Sequence, residues 1–369
     1  MSAKETLSET LRLEYLTPSE SRSSGWDDVL GAATFDGGAR AGRSAESEFP
    51  LAQVHAPVLE GSREVLEVWR GSGRARTGSH GRVRYAVAGE LLFGSLAVHE
   101  SEVAAPEREP LAGERPPTGG ATASPAARQT PLALATELAY RQMYATLAAV
   151  GNPPLVRVWN YIPEINRETH GLERYRQFNS ARHDASLASG RAIAGSVPAA
   201  SALGAAPDSP VTIYFLASQR APAFIENPRQ VSAYRYPAQY GPRSPAFSRA
   251  TVLGEGAEAT LFISGTASIV GHRTMHAGDP RAQAREALIN IEALLKEAGR
   301  RAGVPALRLE RLAYKVYVRD PSELPAIRAE LESAVGTKAA LLYLQADICR
   351  RDLAVEIEAV GGHGWQPAQ

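Results

Sequence analysis

Cysteine is almost absent from this chain of 369 residues, which contains only Cys349. No disulfide can form within the chain, and zinc sites built from several cysteines are excluded. No apolar run is long enough to cross a bilayer. The N-terminal stretch MSAKETLSETLRLEYL lacks the apolar core of a secretory signal. We therefore expect a cytoplasmic protein without a membrane partner.

Net charge is also absent, because 40 Lys and Arg residues balance 40 Asp and Glu residues. General nucleic-acid binders are usually basic, so we expect no nucleic-acid partner. The phosphate-binding patterns GxGxxG and GxxxxGK with a following Ser or Thr do not occur, and neither does HExxH or GxSxG. These absences disfavour enzymes that depend on such nucleotide-binding loops, one class of zinc protease and the α/β-hydrolases.

What the chain does contain is an alternation of strand and helix patterns. The first half predicts strands at 10–16, 64–70, 82–99, 155–163 and 211–218, with helices at 130–150 and 171–186. The second half predicts strands at 258–269 and 310–318, helices that begin at Asp279-Pro280 and Asp320-Pro321, and a closing hairpin at 339–360. This order predicts an α+β fold of two related units, with mixed sheets that carry helices on one face. We place the domains at 1–207 and 208–369.

Two glutamates share one face of the predicted last strand. Side chains alternate along a strand, so Glu356 and Glu358 point away from Val355 and Ile357. One interpretation is a solvated outer face, which is usual for charged residues. The other is that one glutamate lines a cleft as a general acid.

Small residues follow the strand pattern near 265, where Gly265, Thr266 and Ala267 either let a ligand approach the backbone or allow close packing on a helix. His272 and His276 are four residues apart, a spacing that brings two metal ligands together only on a helix. The helix pattern begins after them, so we predict no metal site.

Arginine and tyrosine are concentrated in residues 226–250, which we call the Arg/Tyr segment. Arginine binds carboxylates through a bidentate fork, and Arg and Tyr also stack on RNA bases. Carboxylate binding, RNA binding and a solvated surface loop are the three interpretations. Arg157 lies in LVRVWNYIP between apolar residues, and we expect it to face a pocket or the opposite sheet surface.

The second half resembles the small reactive-intermediate deaminases in the order FISGTAS, a helix ending in LLKEAG, LAYKVYV and VEIEA. The resemblance implies a deaminase-like fold, also described as chorismate-mutase-like, and assigns the catalytic glutamate of that family to Glu356. The substrate-binding arginine of those deaminases has no counterpart between Lys338 and Tyr343. Simple imine hydrolysis is therefore not expected.

Most of the chain from Arg157 onward resembles the chorismatases, in RVWNYIPEIN, ERYRQFNSARHDA, ENPRQVSAY, YGPRSP, SGTASIVGH and LQADICRRDL. The resemblance implies an enzyme that releases pyruvate from chorismate without a metal or an organic cofactor. Cys349, seven residues before Glu356, is similar to the cysteine of the subgroup that forms hydroxybenzoate. From the residues alone, Cys349 is equally a small buried apolar residue.

We therefore expect 3-hydroxybenzoate and pyruvate as products. The alternatives are a hydrolase that gives 3,4-dihydroxycyclohexa-1,5-diene carboxylate, a former of mixed 3- and 4-hydroxybenzoate, and a non-catalytic small-molecule binding protein. Chorismate is a dianion whose enol ether becomes a good leaving group when protonated, so Glu356 is the expected acid, with Cys349 as a second catalytic residue. The expected substrate contacts are Arg157, Tyr214, Tyr240, Arg243, Gly265, Thr266 and Ala267. We expect a monomer or a small homo-oligomer.

Overall fold

The computed structural model describes residues 11–22, 24–36, 47–103, 130–304 and 307–362. Three sheets and five α-helices form an α+β fold, as the sequence predicted, and two further pairs of two-residue strands complete it. We divide the described chain into three units, one for each large sheet. None of the helices in these ranges combines the length and the apolar character that crossing a bilayer requires.

The third unit, residues 223–362, carries a six-stranded sheet with two helices on one face. Its strands lie in the order β13-β14-β15-β20-β18-β19, and only β18 and β19 are parallel. Asp279 caps the long helix α4 by accepting a hydrogen bond from the backbone N–H of Ala282, as the Asp-Pro signal predicted. The elements are β13 (Ala223–Ile225), β14 (Ala250–Leu253), β15 (Thr260–Ala267), β16 (Ile269–Val270), β17 (Arg273–Thr274), α4 (Pro280–Ala302), β18 (Ala313–Val318), α5 (Leu324–Val335), β19 (Ala340–Gln345) and β20 (Val355–Gly362).

The second unit, residues 76–218, repeats this topology element by element. Its strand order is β5-β6-β7-β12-β8-β11, and only β8 and β11 are parallel. The predicted duplication is therefore visible in the sheet order. The elements are β5 (Arg76–His80), β6 (Val83–Ala88), β7 (Leu91–Val98), α1 (Glu100–Val103), α2 (Pro131–Ala149), β8 (Leu155–Pro163), β9 (Glu168–Thr169), β10 (Leu172–Glu173), α3 (Arg174–Ala188), β11 (Ala199–Ala205) and β12 (Val211–Ser218).

The first unit is a four-stranded sheet that the sequence did not predict as a unit. Its order β1-β4-β2-β3, with only β2 and β3 parallel, matches β15-β20-β18-β19 of the third unit. The described residues of this unit contain no α-helix, so its pattern lacks the helical period that revealed the other two. The strands are β1 (Arg12–Leu16), β2 (Val29–Asp36), β3 (Leu51–His55) and β4 (Val65–Arg70).

The predicted domain boundary at 207/208 differs from the sheet topology. Strand β12 lies between β7 and β8 and pairs with both, so a boundary at 207/208 would separate it from its sheet. We propose instead that the second unit ends after Ser218 and that the third begins at Ala223.

The closing hairpin was predicted wrongly. Strand β19 pairs in parallel with β18, whereas β20 lies between β15 and β18. Residues 346–354 therefore do not form a tight turn. They cross β18, from the side where β19 lies to the side where β20 lies. The predicted alternation is correct, because Val355 and Ile357 face helix α4 while Glu356 and Glu358 face the centre of the molecule.

The three sheets turn one face toward a common interior. Their helix-free faces meet there, and Trp69, Trp159, Tyr214 and Tyr317 from all three units are buried together. Helices α2 and α3 cover the other face of the second sheet, and α4 and α5 cover that of the third. Polar side chains on the inner faces are consequently removed from water.

Candidate active site

A cavity of about 610 Å³ lies between the second and third units. Helix α3 and strand β11 line one side, and β15, β20 and the 346–354 connection line the other. Part of the Arg/Tyr segment closes it. The lining includes five of the nine residues predicted for the site, which are Glu356, Cys349, Tyr240, Gly265 and Ala267.

Glu356 lies on the cavity wall with only 4% of its surface exposed. Burial and the neighbouring charge of Glu358 raise its pKa to about 8, although Arg157, Arg249 and Arg319 oppose the shift. No cationic nitrogen in the described part of the chain lies within 4.0 Å of its carboxyl group. The solvated-face interpretation is therefore wrong, and the raised pKa favours the acid form of Glu356 at neutral pH.

Gly265 makes room for this carboxyl group. The register between β15 and β20 shifts between Ile263 and Thr266, which is a β-bulge. A Cβ atom at position 265 would lie 1.8 Å from Oε1 of Glu356. The backbone N–H of Gly265 donates to Oγ of Ser201 across the cavity floor, at 3.0 Å. A side chain at position 265 would therefore displace this carboxyl group. The close approach is made by Glu356, whereas the sequence predicted either a ligand beside the backbone or close packing on a helix.

Glu358 lies two residues further along the strand and is ionised. Its Oε1 is 3.0 Å from Nη2 of Arg157 and accepts from Tyr317 at 3.2 Å, and its Oε2 accepts from Trp159 at 2.8 Å. Burial opposes ionisation, but Lys315 and Arg157 hold the pKa of Glu358 below its usual value. The two glutamates of one strand face thus differ in protonation because only one of them has cationic partners.

Cys349 lies on the 346–354 connection and contacts the central core. Burial, followed by the charge of Glu356, raises the pKa of its thiol to about 12. The cysteine is therefore a neutral thiol and not a thiolate nucleophile. Tyr175 of α3 lines the same part of the cavity, and burial with an added contribution from Cys349 raises its pKa.

Three arginines of the cavity lining have no acidic partner. Arg182, Arg249 and Arg350 have no described carboxylate oxygen within 4.0 Å. Each also has a buried nitrogen without a hydrogen-bond partner, which is Nε in Arg182 and Arg249 and Nη2 in Arg350. A buried N–H without a partner is costly, so these groups point to an anionic ligand.

Aromatic rings and backbone oxygens fix these arginines in place. The guanidinium of Arg350 stacks on Tyr240 at 4.1 Å and donates to the carbonyl oxygen of His272 at 2.9 Å. The hydroxyl of Tyr240 donates to the same carbonyl at 2.7 Å. Arg249 donates to Tyr236 at 2.8 Å. The predicted ligand residue Tyr240 thus orients an arginine.

Arg319 organises the connection that carries Cys349. Its guanidinium donates to the carbonyl oxygens of Leu353 at 2.8 Å, Ile348 at 3.1 Å and Arg350 at 2.8 Å, and it pairs with the carboxylate of Asp347. One partly buried side chain therefore replaces the regular hydrogen bonds that a hairpin would supply.

Four predicted substrate contacts lie outside the cavity lining. Arg157 lies beneath the floor, where it pairs with Glu358 and donates to Ser201. Tyr214 is in the central interior and accepts from Lys315 at 2.8 Å. Thr266 turns its hydroxyl back to the carbonyl of Ser264, and Arg243 is half-buried beside the site.

Arg182, Tyr175 and Arg319 were not recognised as site residues from the sequence. Tyr175 and Arg182 are seven residues apart on a helix that was predicted, and this spacing places both on one face. Six polar residues of that helix are buried, but an arginine on a helix is ordinarily exposed. The described ranges contain no cluster of three or more potential metal ligands, so neither His272 nor His276 belongs to one.

Comparisons with known proteins extend across this site. The family model described as Chorismatase FkbO/Hyg5-like, N-terminal, matches residues 119–217, a range that ends within β12. A protein named 3-hydroxybenzoate synthase from Streptomyces hygroscopicus is 37% identical over 332 residues, which are 85% of this chain and 88% of that protein. A chorismatase from Streptomyces rapamycinicus is 35% identical over 320 residues, which are 84% of this chain and 86% of that protein.

A solved structure gives the same result. The crystal structure of a chorismatase matches with a TM-score of 0.82 at 30% identity, and the match covers 97% of this chain and 100% of that chain. The similarity therefore includes both sides of the cavity.

Proposed function

The chain belongs to the chorismatase family of enzymes, and we propose that it converts chorismate to 3-hydroxybenzoate and pyruvate. One observation carries the proposal. A buried glutamate with a raised pKa and three arginines without acidic partners within 4.0 Å face one cavity. The relative named 3-hydroxybenzoate synthase supports the choice of product.

Glu356 is the proposed general acid. One proton joins the methylene carbon of the enolpyruvyl group, the bond between the ring and the ether oxygen breaks, and pyruvate leaves with that oxygen. As pyruvate leaves, the oxygen of the neighbouring ring hydroxyl group bonds to the vacated carbon, and its bond to its original carbon then breaks. The carbon that now carries this oxygen releases its hydrogen as a proton, and the ring becomes aromatic as 3-hydroxybenzoate. One proton is gained and one is released, so Glu356 returns to its acid form and no water is consumed.

The cavity arginines are the proposed binding groups for the two substrate carboxylates. Arg182 projects from α3 on one side, and Arg249 and Arg350 lie on the other side beside the Arg/Tyr segment. Cations on both sides suit a rigid ring with a carboxylate at each end. Because the pockets of the three arginines are largely desolvated, charge-assisted hydrogen bonds there are strong.

Cys349 is the proposed determinant of the product. Its neutral thiol is close to Glu356, and the wall of the cavity also contains Ala200, Ala202 and Ile269 from other elements. Such a wall excludes water from the ring carbon that loses pyruvate, so aromatisation competes successfully with hydrolysis.

Incubation of the purified protein with chorismate tests the proposal. Pyruvate is measured with lactate dehydrogenase and NADH, and the ring product is separated by chromatography against 3-hydroxybenzoate, 4-hydroxybenzoate and the diene acid. We expect pyruvate and 3-hydroxybenzoate in equal amounts. If the diene acid dominates, the protein is a chorismate hydrolase and the proposed product is wrong. If no pyruvate is released, the protein is a binding protein and not an enzyme.

A further inference from the structure

A second group of charges lies behind the cavity floor, in the common interior of the three sheets. Glu67, Lys315, Glu358 and Arg157 alternate in sign, and none is more than 4% exposed. Lys315 Nζ lies 2.5 Å from Oε2 of Glu67 and 3.5 Å from Oε2 of Glu358, and Glu358 in turn pairs with Arg157. We call these four residues the central charge cluster.

The cluster joins all three units through Lys315. Its ammonium group contacts Glu67 on β4, donates to the hydroxyl of Tyr214 on β12 at 2.8 Å, and contacts Glu358 on β20. Strands β4, β12 and β20 occupy the same place in their three sheets. Lys315 thus donates hydrogen bonds to Glu67 and Tyr214, and its charge is shared between two carboxylates.

The charges of the cluster cancel. Glu67 and Glu358 each accept from a cation, and Lys315 and Arg157 are those cations. Glu356 is the next carboxyl group on the same face of β20. It is therefore the fifth ionisable group beside four that already balance, and an additional negative charge on Glu356 would have no free counter-charge within the cluster.

We propose that Glu67, together with Lys315, is a positioning residue that keeps the cluster neutral and thereby holds Glu356 in its acid form. This inference rests on the proposed role of Glu356 as the general acid. Glu67 lies in the first sheet and is not among the residues that line the cavity, and its hydrogen bonds are with Trp69, Tyr214 and Lys315. It acts through Lys315 and Glu358 by the charge that it supplies.

Other groups around Glu356 set the background for this effect. Besides Glu358 and Arg157 of the cluster, the surrounding elements bring Tyr175, Cys349, Arg249 and Arg319 near it. Tyr175 and Cys349 carry no charge at neutral pH, because the pKa of each is raised. Arg249 and Arg319 stay unchanged when the cluster is altered, so a change in Glu67 tests the cluster alone.

The test is the pH dependence of kcat/KM for pyruvate release in Glu67→Gln, Lys315→Met and the double variant. A general acid loses activity as pH rises through its pKa, and kcat/KM reports the free enzyme. Glu67→Gln leaves one excess positive charge, so the alkaline fall should move down from about pH 8 by about one pH unit. Lys315→Met leaves one excess negative charge, so the fall should move up, by less, because the freed Glu67 can take up a proton.

The double variant is the matched control, because it loses both charges and is neutral again. We expect its alkaline fall to return to the wild-type position. A purely structural role would make the double variant the most damaged of the three. Shifts of both single variants in one direction, or no shift in Glu67→Gln, would overturn the inference.

A second measurement separates this inference from the proposed function. If the wild-type protein releases no pyruvate, the protonation of Glu356 is measured from the pH dependence of the melting temperature, with Glu356→Gln as reference. A Glu67→Gln shift in that titration supports the cluster even though the proposed reaction fails. An unshifted titration rejects the cluster whatever the reaction is.

Discussion

A Cβ atom on Gly265 would lie 1.8 Å from Oε1 of Glu356, so the bulge in β15 is the space that the carboxyl group occupies. In Gly265→Ala the flexible end of Glu356 must rotate away, and we expect the protein to fold while kcat falls several-fold. Steady-state kinetics of pyruvate release measure this. Gly25→Ala is the control, because a Cβ there would meet no described atom within 4 Å. Unchanged kcat in Gly265→Ala would show that the carboxyl position is not critical.

Glu356→Gln should fold and lose activity by about two to four orders of magnitude, because an amide cannot deliver the proton. The same coupled assay measures the loss, and circular dichroism checks the fold. Glu258→Gln alters an exposed glutamate and should keep wild-type turnover. Near-wild-type rates in Glu356→Gln would remove this residue from the acid role.

Stability should also depend on pH through Glu356. The folded protein holds this proton up to about pH 8, whereas an ordinary glutamate releases it near pH 4.5. Between these values the unfolded state binds fewer protons than the folded state. The free energy of unfolding therefore falls by roughly 1.4 kcal/mol for each unit by which the pH rises. The melting temperature of Glu356→Gln relative to wild type should therefore rise from pH 5 to pH 8. A constant difference across this range, measured by calorimetry, would mean that Glu356 is ionised in the folded protein.

Substrate binding should depend on the arginines of the cavity. Arg182→Met and Arg249→Met keep much of the apolar stem but remove the charge. Each should lower kcat/KM by an amount that corresponds to a loss of about 2–5 kcal/mol in transition-state stabilisation, mainly through a higher KM. Arg243→Met is the matched control, because Arg243 lies outside the cavity lining. A larger effect in Arg243→Met would mean that Arg243 binds a substrate carboxylate, as the sequence predicted.

Cys349→Ala should change the product more than the rate. Alanine removes the sulfur, leaves room for water near the ring and cannot exchange a proton. We expect pyruvate release to continue while the fraction of 3-hydroxybenzoate falls and the diene acid rises. Chromatography of the ring products measures the ratio. The wild-type ratio in this variant would make Cys349 a packing residue only.

The alternation of side chains along β20 predicted which residues share a face with Glu356, but not what that face contacts. Whether it meets water or another sheet depends on the packing of three sheets, and one of those sheets lacked the helical pattern that identifies a unit. For the same reason Arg157 was predicted to face a pocket or a sheet, and the structure pairs it with Glu358. Local patterns predict the direction of a side chain, and only tertiary packing supplies its partner.

Strand pairing was the second limit. Residues 340–345 and 355–362 each have a strand pattern, and a short polar interval between such runs usually indicates a hairpin. The pairing of β20 with β15 and β18 is long-range, and no local signal encodes it. The role of Arg319 in supporting the connection follows from that crossover, so it was equally invisible.

The position of β20 has a consequence for biosynthesis. This strand follows all the other strands of its sheet in sequence, yet it lies inside the sheet between β15 and β18. During translation those neighbours emerge from the ribosome with an unfilled gap between them, and the gap exposes two strand edges until β20 itself emerges. The nascent third unit should therefore need chaperone protection. A stop codon just before Val355 should yield an aggregating product rather than a slightly shortened enzyme.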